Sequence, residues 1–284
     1  MRPDAAAARG PSPDDWLPAY LRVRALEGRL YPDDVAAGLP SVPASHPLHA
    51  EWRIRARSAA RLLAHLRGLG RRLAVVDAGC GNGWLANAIA SLDGTSVVGI
   101  DVNGLELAQA NRVFGGRPNL RFVRADILCL PDAPAANGAP ATSGRPTTSG
   151  PPTMPGRPAV SGLPAHSDVV VLASVVQYVA DLPALLRRLR SWLAVDGEIH
   201  VLDSPFYRPA DVAAARERTA RHYADLGVPE MAEAYHHHRL DELAEFEPTF
   251  LQRPGMVAER VARLVPGRRS SPFPWLRIRR GDAP

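Results

Sequence analysis

Apolar side chains recur along this chain with two periods. Residues 73–79, LAVVDAG, form a β-branched run closed by an aspartate and a glycine, the mark of a strand buried on both faces. Similar runs at 96–101, 120–126, 168–174 and 197–204 predict four more strands. Between them the period lengthens to that of a helix. Residues 83–94 predict a short helix with Gly94 as its left-handed cap. Asn103 and Glu106 stand as a capping box for a helix over 104–114, stopped at Gly115-Gly116. After Asp181, the residues Leu182, Leu185, Leu186, Leu189, Trp192 and Leu193 make one apolar face, and Arg187, Arg188 and Arg190 lie off it.

The flanks are less regular. Residues 1–12 read as a frayed terminus, and 14–30 as a helix with Leu17, Leu21 and Leu26 on one side. A Pro-rich loop spans 31–47, and a helix over 48–69 carries Trp52, Ala59, Leu62, Leu63 and Leu66 at helical spacing. Beyond 205, helices are expected at 209–226 and 229–246, and late strands at 247–252 and 272–280 joined by a helix over 255–265. Strand and helix alternate, which implies an α/β fold, a mostly parallel sheet with helices on both faces. The expected organisation is an N-terminal helical extension (1–70) before a core (71–284) with a helical cover at 205–246. Residues 132–166 hold Pro, Gly, Ala, Ser and Thr with almost no large apolar groups, and read as a disordered insertion. A tolerated surface loop and a Pro-rich ligand for a partner are its two readings.

Composition narrows the function classes. The chain has a net charge of +5, yet every basic side chain is arginine and none is lysine. The arginines are scattered, apart from RRLR at 187–190 and WLRIRR near the end, so no nucleic-acid footprint stands out. The longest apolar run, VVVLASVV at 169–176, is far short of a membrane span, and no signal core opens the chain. A soluble, cytoplasmic protein is expected. Cys80 and Cys129 make neither a disulfide framework nor a metal spacing, and no metal site is expected.

The chemistry begins at DAGCGNG, residues 77–83. A strand that ends in bare backbone and feeds a helix presents N–H groups to a ligand. A dinucleotide fingerprint needs a third glycine where this chain has Trp84, so the spacing argues against a pyrophosphate. The stretch instead resembles motif I of class I S-adenosylmethionine (SAM)-dependent methyltransferases, with Asp77, Gly79, Gly81 and Gly83 at its D/E-x-G-x-G-x-G positions. Asp101 and Asp126 end the second and third strands, where that family places carboxylates. The resemblance covers roughly 73–204 without the insertion. It implies a Rossmann-like, doubly wound, seven-stranded sheet and SAM as cofactor.

The implied cofactor residues are Asp77, Gly79, Cys80, Gly81, Gly83, Asp101, Val102, Asp126, Ile127 and Ser174. Asp101 would accept from both ribose hydroxyls, having two acceptor oxygens. Val102 would lie on the adenine, Asp126 would accept from its amino group, Ile127 would wall it, and Asp77 would serve the methionine end. The catalytic base is open, with Asp203, Tyr207, His222 and His236 as candidates. His46 and His49 are further candidates for covering the pocket. The run His236–His238 cannot put three rings on one helix face. No Asn/Asp-Pro-Pro-Tyr run follows the fourth strand and no Pro-Cys pair occurs, which counts against amino-group and cysteine-dependent base methylation. The expected activity is O- or N-methylation of a small-molecule, lipid or sugar acceptor. The alternatives are aminopropyl transfer, a non-catalytic SAM-binding regulator, or a nucleic-acid methyltransferase.

Overall fold

The structure, a computed structural model, describes residues 13–129, 163–164, 166–253 and 271–281. Strands β1 (Leu73–Ala78), β2 (Thr95–Asp101), β3 (Leu120–Arg124), β4 (Ser167–Ala173) and β5 (Leu193–Leu202) pair in parallel. β7 (Trp275–Arg279) runs antiparallel to β5 and to β6 (Thr249–Gln252). The sheet order is β3-β2-β1-β4-β5-β7-β6. Each central strand feeds two cores, as the unbroken β-branched runs require. Val75 packs with Leu62, Leu85 and Ile89 on one face, and Val76 packs with Leu182, Leu186 and Leu189 on the other.

The helices are α1 (Pro13–Leu26), α2 (Asp33–Gly38), α3 (His49–Gly68), α4 (Trp84–Ala90), α5 (Gly104–Phe114), α6 (Leu182–Ser191) and α7 (Val212–Asp225). α6 starts at its Asp181 cap, whose carboxylate accepts from the Ala184 N–H at 2.9 Å. The Asn103 cap also forms, with its side-chain oxygen accepting from Leu105 and Glu106. The return half of the capping box differs. Glu106 bonds the Asn103 side-chain amide, because the Asn103 backbone N–H is already given to Asp101 at 2.8 Å. The chain leaves β1 for β2 and β3 on one side, then crosses to β4 on the other. That reversal opens a crevice at the carboxyl ends of β1 and β4.

Three expectations are corrected. α1 buries Ala19 and Val23, while Leu26 is 59% exposed, because it packs on Tyr223, Met231 and Ala234 of the cover, through small and aromatic groups. The loop 31–47 contains α2, which starts after Pro32 with Asp33 and Asp34 in its first turn, both favourable at a helix N-terminus. Residues 229–246 hold no α-helix. Two 3₁₀ stretches, Pro229–Ala232 and Leu240–Phe246, flank an irregular segment at 235–238. Its backbone bonds outward instead: the His236 N–H donates to the Gln177 carbonyl at 2.7 Å, and Tyr207 donates to the His238 carbonyl at 2.9 Å. Residues 1–12, the 255–265 helix and all of the 132–166 insertion except 163, 164 and 166 lie outside the described residues.

Candidate active site

The glycine loop is shaped by what stands behind it. Gly79, Gly81 and Gly83 all have positive φ, at 80°, 53° and 79°. A side chain on Gly79 would begin 2.5 Å from Val175, in the loop after β4. One on Gly83 would begin 2.6 Å from the Phe122 ring and 2.9 Å from Ala110. The third glycine therefore serves the packing of α4 against the sheet, and it does not line the cavity, unlike Gly79, Cys80 and Gly81. Gly81 faces the Glu106 carboxylate instead, 3.5 Å from where a Cβ would stand.

Three carboxylates converge on this loop. Asp101 accepts from the Gly81 N–H at 2.7 Å with one oxygen and from Asn103 with the other. The Val102 N–H is a third backbone donor to this carboxylate, and acceptor capacity remains for a ligand. Burial, and then the neighbouring Glu106, push its pKa up to about 6. Asp77 is 1% exposed, and burial followed by the Asp101 charge raises it to about 7. Its Oδ2 has no hydrogen-bond partner, nor has Oε1 of the buried Gln177. Against three carboxylates stands Arg24 of α1, paired with Glu106 at 3.2 Å, its Nε buried without an acceptor. Sequence reasoning missed Arg24. Its signal was the spacing Trp16, Tyr20, Arg24, which sets one helix face over the loop.

A cavity of about 1090 Å³ runs from this loop to the cover, above the ~300–1,000 Å³ usual for one small ligand. Val102, Asp126, Ile127 and Ser174 line it. Asp126 accepts from the Leu128 N–H at 2.8 Å with one oxygen. Ser174 and Asp203 directly follow β4 and β5 with φ of 60° and 53°, a strained geometry for side-chain-bearing residues, and the Ser174 hydroxyl donates to the Asp203 carbonyl at 3.0 Å.

All four candidate bases reach the cavity, in different states. Asp203 accepts from the Ser58 hydroxyl at 2.8 Å, and burial raises its pKa. Tyr207 is a half-buried phenol whose pKa is raised by desolvation. His222 is exposed and paired with Glu27 at 3.2 Å. His236 has no ring hydrogen bond among the described residues, and burial, then His238 and Arg216, lower its pKa. Its neighbours are engaged: His237 with the Thr219 hydroxyl at 2.9 Å, and His238 with the Val176 and Val179 carbonyls. His46 and His49 do not line the cavity. His46 accepts from the Leu48 N–H, and His49 meets the Val42 carbonyl.

A second cluster, His65, Glu198 and His200, brings three metal-capable groups together. Its hydrogen bonds do not suit a cation. The Trp275 indole N–H donates to His200 Nδ1 at 3.1 Å, so Nε2 carries the proton toward Glu198. Arg277 and Arg279 already neutralise Glu198 at 3.3 and 3.6 Å.

A family described as a methyltransferase domain matches residues 51–246, more than two thirds of the chain. The chain belongs to the methyltransferase-domain family. Solved structures agree in fold. Magnesium protoporphyrin IX methyltransferase (ChlM) from Synechocystis PCC 6803 with bound SAH is 14% identical, with 93% of this chain and 95% of that one covered and a TM-score of 0.50. The YcgJ protein of Bacillus subtilis is 13% identical, with 80% and 99% covered and a TM-score of 0.50. The chain spans about half the length of two other matched chains, one from Listeria monocytogenes (47%) and the CurJ carbon methyltransferase (49%). Among its described residues, no helix is long and apolar enough to cross a membrane.

Proposed function

We propose that this methyltransferase moves the methyl group of SAM to a small molecule held beneath α1 and the 205–246 cover, with His236 as general base. The observation that carries the reading is one continuous cavity with two unlike ends, a bare, carboxylate-rich loop and an aromatic cover. The loop end fits SAM by its own chemistry. Asp77 Oδ2 and Gln177 Oε1 are buried acceptors without partners, and an ammonium supplies donors. Arg24 Nε is a buried donor without an acceptor, and a carboxylate supplies one. Asp101 has acceptor capacity left for a ribose diol. Val102 and Ile127 are the apolar walls for adenine, and the second Asp126 oxygen is free for its amino group. Gly79, Cys80 and Gly81 bring backbone to the ligand, and Ser174 fixes the loop after β4.

When bound, SAM supplies a methyl carbon already activated by a sulfonium. The protein's work is then to align an acceptor atom and keep water out, which is worth roughly 7–11 kcal/mol. His236 is fixed by its backbone bond to Gln177, next to the end of β4, with its ring neutral and free to take a proton. The helices before the sheet act as a cap. Calorimetric titration with SAM and SAH tests the binding half, and tritium transfer from methyl-labelled SAM to a small-molecule extract tests the catalytic half. Failure of both ligands to bind would refute the reading.

A further inference from the structure

We propose that the acceptor is a flat, hydroxylated aromatic ring bearing an acidic substituent, methylated on its hydroxyl oxygen. This rests on the reading above and adds the chemistry of the cavity's other end. That end is walled by rings. Trp16 and Tyr178 lie parallel at 5.9 Å, Tyr20 meets Tyr178 edge-on at 5.4 Å, and Tyr178, Tyr235 and Tyr223 continue the wall at 6.1 and 6.2 Å. Flat faces of this kind pair with another ring by offset or edge contacts. A flexible acyl chain or a bare sugar would use them less well.

The charges there decide between a hydroxyl and a basic amine. An ammonium would need a carboxylate, and none is free at this end. Glu27 is held by Arg29 at 2.7 Å and by His222, and Asp203 is held by Ser58. The free charge is positive. Arg218, on the cavity-facing side of α7, makes no hydrogen bond or ion pair with a described residue, and stands near Tyr207 and Asp211, the latter already paired with Arg208 at 2.7 Å. A guanidinium so placed recognises a carboxylate. It also favours a hydroxyl that is losing its proton.

In the step, the ring hydroxyl gives its proton to the His236 imidazole while its oxygen lone pair forms the bond to the methyl carbon. The carbon–sulfur bond breaks and its electron pair stays on sulfur. The products are an aryl methyl ether, the thioether SAH and an imidazolium that returns its proton to water.

The test uses the full chain, methyl-labelled SAM and four probes: hydroxynaphthoate, naphthol, naphthoate and naphthylmethylamine. The hydroxynaphthoate ether should form, and naphthol should be methylated with a KM about tenfold higher, the cost of one charge-assisted hydrogen bond. Naphthoate and naphthylmethylamine should stay unmodified. Arg218→Gln should erase the KM difference between the two hydroxylated rings. His236→Gln should cut kcat for both by about 100-fold while calorimetric SAM binding stays the same. Methylation of the amine or of the carboxylate alone, or of neither hydroxylated ring by a chain that binds SAM, would overturn the assignment. A chain that binds no SAM would overturn the reading beneath it instead.

Discussion

Asp101 and Asp77 are both buried carboxylates, but they answer to different parts of a ligand. Asp101 holds the loop as well as the ligand, since its oxygens take the Gly81 and Asn103 N–H groups. Asp101→Asn keeps one acceptor and removes the charge. It should weaken SAM binding by about 1.5–3 kcal/mol, roughly ten- to a hundredfold in Kd by calorimetry. Asp77 controls the pH dependence. Its folded pKa of about 7 lies above the ordinary carboxylate range, because burial and Asp101 oppose its charge. Stability from the protonated form is present in acid and is lost as pH rises through that value. A cationic ligand reverses the sign, since it needs the ionised form. SAM affinity should therefore climb from pH 5.5 to 8, as Asp101 and then Asp77 ionise. Titrations at several pH values should show a flatter profile in Asp77→Asn.

At the scale of elements, the strands were the most readable part. Val and Ile runs ending in Asp77 and Asp101 mark strand ends wherever they occur, because the buried run and the polar stop come from one chain segment. The cover was not readable in this way. The backbone of 235–238 bonds to Gln177 and Tyr207, partners about 60 and 30 residues away, and no local pattern carries them. The inner face of α1 was hidden for the same reason: Trp16 and Tyr20 pack on the later cover and Arg24 pairs with Glu106, while the leucines that dominate its periodicity do not set its buried face. Gly83 shows the reverse. Its motif position was plain, but its use is packing on Phe122. Gly83→Ala should cost about 1–3 kcal/mol, from a positive φ and a steric overlap together, and lower Tm by several degrees in thermal melts. Trp16→Ala should raise the KM for the acceptor while leaving SAM affinity within a few-fold, measured by steady-state kinetics and calorimetry.

For the molecule as a whole, the strand reversal between β1 and β4 determines where the site lies, and the His65–Glu198–His200 cluster ties the far side together. There α3, β5 and β7 meet through one buried carboxylate. Burial pushes the Glu198 carboxyl up, but the hydrogen bonds and charges of His200 and His65 together outweigh it and hold the pKa at about 2, so its contribution is present above the ordinary carboxylate range and is lost as pH falls through that value. Glu198→Gln would strand His65, His200 and Arg277, and should cost about 3–5 kcal/mol in urea unfolding. Added zinc should leave the Tm of the native chain where it was.

The glycine loop has one more property. Cys80 is buried over Gly99, where even a methyl group would sit 2.9 Å from its sulfur, and desolvation together with the charges of Asp101, Asp77 and Glu106 pushes its pKa up. Cys129 lies exposed. An alkylating reagent attacks a thiolate that it can reach. Iodoacetamide should therefore label Cys129 in the folded chain and spare Cys80, a single adduct that mass spectrometry of the digested chain would locate.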